Sequence, residues 1–68
     1  KQNFYNFINR YRIDEVKRKL ADPEYNDHNI LTIAYNTGFS SKSTFNTMFK
    51  KFTGIPPKEY RTNLSSKN

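Results

Sequence analysis

Cysteine and tryptophan are absent from this 68-residue chain, which has one histidine, one methionine and two glycines. Without cysteine, disulfide staples and thiolate metal sites are both excluded. His28 has no second histidine or cysteine with which to share an ion, so it reads as a solvated loop residue, and neither metal nor cofactor is expected. No apolar run approaches the roughly 20 residues that a bilayer requires. The opening residues also lack the continuous apolar stretch of a signal peptide. There is no Ser-His-Asp set and no Gly-rich phosphate loop. Asp14 and Glu15 are adjacent, so on a helix they point about 100° apart and cannot work as an acid/base pair. Nothing here supports an enzyme.

Charge of one sign is missing as well. No Asp or Glu lies between Ile30 and Lys58. From Lys1 to Asp27 six basic residues meet five acidic ones, whereas from His28 to Asn68 six basic residues meet only Glu59, so most of the formal +6 sits in the second half. A basic half joined to a nearly neutral one suits a polyanion, because counterion release grows with the number of phosphates neutralised. A merely solubilising surface would mix its signs.

Apolar spacing implies helices throughout and no alternating strand, an all-α chain. The first helix is expected from about Phe4 to Ala21, capped by Asn3 and stopped at Asp22-Pro23, since proline disfavours helical geometry in the residue before it. Residues 22–28 form a polar connection. A second helix follows Asn29 and closes at Gly38, where a left-handed residue fits. Ser40 or Ser41 caps a third, which runs to about Phe52 and ends at Gly54. Pro56-Pro57 opens a short fourth helix to about Thr62. The tail, residues 64–68, is expected to be disordered.

The second and third helices with their tight turn have the build of a helix-turn-helix. On the third helix Phe45, Met48, Phe49 and Phe52 fall within about 100° of one another, which makes them core. Lys42, Ser43, Asn46, Thr47 and Lys50 occupy a separate arc of about 140°, with Thr44 and Lys51 on the flank. A helix in the major groove needs short polar side chains near base edges and longer cations near phosphates. Lys42, Ser43, Asn46 and Thr47 are therefore the candidate base contacts: lysine for guanine, asparagine for adenine, the hydroxyls for either edge or a thymine methyl. Ser41, Thr44, Lys50, Lys51 and Arg61 are the candidate backbone contacts, Arg61 being equally suited to capping. RNA recognition generally needs exposed aromatic platforms, and the phenylalanines here read as core.

Ile30, Ile33, Ala34, Gly38, Phe39, Ser40, Ser43, Phe45, Phe49, Lys50, Lys51, Gly54, Pro57, Tyr60 and Arg61 together spell I-x-x-I-A-x-x-x-G-F-S-x-x-S-x-F-x-x-x-F-K-K-x-x-G-x-x-P-x-x-Y-R. This string resembles the C-terminal signature of the AraC/XylS family of transcription activators. Upstream, INRYRIDEVKRKL resembles that family's connecting helix, with Arg12 at its usual basic position. Thr32 departs from the pattern, standing where an acidic residue often completes the cap begun by residue 29. The resemblance implies a homeodomain-like three-helix core preceded by a long connecting helix. Residues 1–21 would then be the connecting helix and 22–63 the second of two helix-turn-helix subdomains, the first lying outside this chain. It implies sequence-specific binding of double-stranded DNA with residues of about 41–52 as recognition helix, RNA polymerase as a partner of the full-length protein, and a bacterial cytoplasmic setting. The rival expectation is a basic helical module that meets an acidic protein partner, such as a polymerase subunit.

The first helix carries two apolar faces. Phe4, Phe7, Ile8 and Tyr11 share one, while Ile13, Val16 and Leu20 share another, and a helix packed on one core would keep a single stripe. The first group is expected either to fray or to be buried against a second copy of the chain, because an apolar patch of that size usually finds a partner.

Overall fold

The computed structural model describes residues 4–66, and all regular structure among them is helical: α1 Phe4–Leu20, α2 Ile30–Thr37, α3 Lys42–Thr53 and α4 Pro57–Ser66, with a 3-10 turn at Pro23–Tyr25. The expected cap Asn3 lies outside the described residues. No described helix is long and apolar enough to cross a membrane.

Local chemistry accounts for most helix ends. Beyond α1, Asp22 caps the 3-10 turn by accepting from the Glu24 N–H at 2.9 Å. Asn29 caps α2, its Oδ1 accepting from the Leu31 N–H at 2.8 Å, while Thr32 stays exposed. The cap therefore forms without an acidic partner. Of the two serines proposed to start α3, Ser41 is the cap, its Oγ accepting from the Thr44 N–H at 3.1 Å. Gly38 closes α2 at φ 126°, donating to the carbonyls of Ala34 and Tyr35, and Gly54 closes α3 at φ 89°. Positive φ at both positions is open to glycine at little steric cost.

One core joins the helices. Ile13, Val16 and Leu20 of α1 meet Ile33 and Ala34 of α2, Phe39 of the turn, and Phe45 and Phe49 of α3. An aromatic row runs through it: Phe39 to Phe45 at 5.3 Å between ring centroids, Phe45 to Phe49 at 5.7 Å, and Phe49 to Tyr60 of α4 at 5.4 Å. These tilted and edge-on contacts are the favoured aromatic geometries. Tyr25 also packs on the core from the polar connection, with the Lys19 ammonium 5.8 Å from its ring.

One expectation needs correction. The tail is not disordered as far as Ser66, because α4 continues to that residue and Leu64 packs against the core one turn beyond Tyr60. That second apolar anchor on the same face holds the extra turn. Lys67 and Asn68 lie outside the described residues. At the other end of the chain α1 is helical from Phe4, so of the two outcomes expected for this stretch fraying is not the one seen. Its two faces are as read: Ile13, Val16 and Leu20 are buried, whereas Phe4, Phe7 and Tyr11 are 76%, 58% and 61% exposed and Ile8 is half-buried.

Candidate nucleic-acid interface

The site is built on α3, whose inner side is fixed by the core. Phe45 and Phe49 are fully buried, with Met48 and Phe52 packed beside them. This anchoring sets the rotation of the helix, so that Lys42, Ser43, Asn46, Thr47, Lys50 and Lys51 are all exposed. The four candidate base contacts thus share the outward side of one rigid helix. Ser41 and Thr44 are half-buried at its start and joined by the capping bond.

No ion pair among the described residues engages the lysines on this face. Among the described residues the ion pairs are Lys17 with Asp14 at 3.9 Å and Arg18 with Glu15 at 2.8 Å, both on α1. The Arg18 hydrogen bond holds the Glu15 carboxyl below the usual carboxylate range. Lys51 has its ammonium 5.5 Å from the Phe52 ring centroid, a contact that leaves its charge uncompensated. Asn46, Thr47, Lys50 and Lys51 line a shallow depression of about 500 Å³. A deeper groove of about 650 Å³ lies on the other flank, between α3 and the first turns of α2 and α4, with Lys42 and Asn46 on one wall and Pro57 and Lys58 on another. Lys58 was not among the residues singled out from sequence. Its only signal there is that it stands in the acid-free stretch directly after the prolines.

Arg61 is engaged within the fold. Its Nη1 donates to the His28 carbonyl at 2.7 Å, and its Nη2 donates to those of Tyr25 at 2.7 Å and Asn26 at 3.1 Å. The guanidinium clamps α4 to the connection between α1 and α2, which is the capping role open to it from sequence. Arg61→Met keeps the length of the chain but removes every donor. It is expected to lower stability by about 1–3 kcal/mol, since hydrogen bonds to charged groups are worth about 1.5–3 kcal/mol each and these are partly solvated. Urea titration measures the loss, and a change under about 0.5 kcal/mol, the range of ordinary surface substitutions, would show that the clamp is idle.

Arg12 is similarly structural. It is half-buried on α1, with its guanidinium carbon 5.9 Å from the Phe39 ring centroid and its Nε against Gly38, which ties the long helix to the turn between α2 and α3. Among the described residues no group of acidic or histidine side chains could hold a metal ion.

The sequence matches the model of a helix-turn-helix domain family over residues 1–63. It is 43% identical over 58 residues to an uncharacterised HTH-type transcriptional regulator of Staphylococcus aureus (strain COL), a match covering 85% of this chain and 7% of that protein. It is 40% identical over 55 residues to the melibiose operon regulatory protein of Escherichia coli (strain K12), covering 81% of this chain and 17% of that protein. The chain therefore spans a small part of the curated relatives it matches. No solved structure matches it.

Proposed function

The chain belongs to the AraC-type helix-turn-helix family, and from that premise we propose that it binds double-stranded DNA sequence-specifically as part of a transcription regulator, with α3 in the major groove. One observation carries this reading: the outward side of α3 is wholly polar or basic, exposed and free of acid, while its inner side is locked into the core. In the proposed complex Lys42 donates to guanine, Asn46 makes the paired contact to adenine, and Ser43 and Thr47 meet neighbouring edges or a thymine methyl. Ser41, Thr44, Lys50 and Lys51 lie where phosphates flank the groove and set the register without reading sequence. RNA polymerase is the proposed partner of the full-length regulator.

The division of roles is testable. On a duplex selected for tight binding, Asn46→Ala is expected to cost roughly 1–3 kcal/mol and to relax preference at one base pair. Lys51→Ala is expected to weaken selected and random duplexes alike. Competition binding with both duplexes measures this, and equal losses from both substitutions on both duplexes would overturn the assignment. Binding to an acidic protein with no measurable affinity for duplex even at low ionic strength would favour the protein-interaction alternative.

A further inference from the structure

The groove between α3 and α4 brings a cation to the recognition helix from a distant part of the chain. Lys42 and Asn46 form its α3 side, Pro56, Pro57 and Lys58 its α4 side, and Ile30 lies among its apolar lining. No acidic residue lines it. Lys58 is exposed and has no ion-pair partner among the described residues. The neighbouring Arg61 also reaches the groove, but its guanidinium is held by three carbonyl oxygens and leaves the open charge to the two lysines.

An apolar lining with an open cation on its α4 wall matches the chemistry of a sugar–phosphate strand, in which deoxyribose packs on carbon and phosphate meets the Lys58 ammonium, while Lys42 keeps its proposed base contact. The groove is also continuous with Asn46, one of the proposed base contacts, so a strand whose base meets Asn46 has its backbone close by. We infer that this groove carries one strand of the duplex backbone, with Lys58 as a phosphate anchor facing Lys42 from α4. The inference rests on the DNA-binding reading. It adds a contact from a second helix, so that α3 is bracketed by Lys58 on one flank and by Lys51 on the other. Two separated phosphate anchors fix the roll of a helix in the groove, which anchors on that helix alone leave free.

The test is a salt titration of the full chain against a short random-sequence duplex, followed by fluorescence anisotropy between about 50 and 200 mM salt. Lys58→Gln is expected to reduce the slope of log affinity against log salt by about 0.9, the value of one phosphate contact. Lys50→Gln is expected to do the same, and Lys58→Arg to keep the wild-type slope. Circular dichroism of each variant should match wild type, since both side chains are exposed. An unchanged slope for Lys58→Gln beside a reduced one for Lys50→Gln overturns the groove assignment and leaves the DNA reading intact. Absence of duplex binding by the wild-type chain at the lowest salt overturns both.

Discussion

Truncating Phe49 to alanine is expected to leave the chain largely unfolded at room temperature. The ring is fully buried, with Phe45 at 5.7 Å on one side and Tyr60 at 5.4 Å on the other, so it ties α4 to the interior of α3. A buried Phe→Ala change costs about 3–5 kcal/mol in lost transfer energy and residual cavity. A core in a chain shorter than about 70–80 residues rarely supplies more than 3–5 kcal/mol in total. Loss and reserve are therefore of the same size. Far-UV circular dichroism with urea titration decides the matter, using Phe52→Ala as the comparison because that side chain is only half-buried and should cost less. A Phe49→Ala chain that keeps a cooperative transition with under 1 kcal/mol lost would show that the aromatic row is not the centre of the fold.

Gly38→Val should be the most damaging change in the turn. Gly38 has φ 126°, and a Cβ built there would lie 2.9 Å from the Arg12 Nε. A β-branched residue at positive φ is a genuine outlier, and such strain costs of order 1–3 kcal/mol. Displacing Arg12 from the Phe39 ring adds about 0.5–1 kcal/mol for the lost cation–π contact. The expected total is about 1.5–4 kcal/mol. Gly54→Val provides the control, because Gly54 also has positive φ but nothing within 4 Å of a Cβ built there. Differential scanning calorimetry of the two variants compares a glycine in the left-handed region, Gly54, with one outside it that also carries the Arg12 clash, Gly38. Equal melting temperatures would remove Arg12 from the account of the turn.

Much of this molecule was legible in the residue pattern, for reasons that are local. The caps at Asn29 and Ser41 bond to amides two or three residues ahead, and the stop glycines accept a backbone geometry that other residues resist. The inward side of α3 follows from the spacing of its phenylalanines. The two faces of α1 follow from the same periodicity, and the exposure of Phe4, Phe7 and Tyr11 agrees with it. Asn9 escaped that reading: it continues the buried row of Ile13, Val16 and Leu20, and its Nδ2 has no hydrogen-bond partner among the described residues. A polar residue at a core position breaks the apolar pattern by which buried rows are recognised.

By itself, the sequence determined the number and order of the helices, the ends of α2 and α3, the core face, and the side of α3 that offers Lys42, Ser43, Asn46 and Thr47. Each depends on residues within a turn or two of one another, where 3.6-residue periodicity and side-chain capping act. Only the tertiary structure decided where Arg61, Lys58, Arg12 and Leu64 sit and what lies beside them. Arg61 reads equally as a phosphate contact or a cap until the connection at Tyr25 to His28 brings three carbonyls to it. Lys58 is one more surface lysine until α4 sets it across a groove from Lys42, and Leu64 belongs to a tail until the core receives it. These roles rest on contacts between segments remote in the chain, and no local period encodes which remote segment a long side chain will meet.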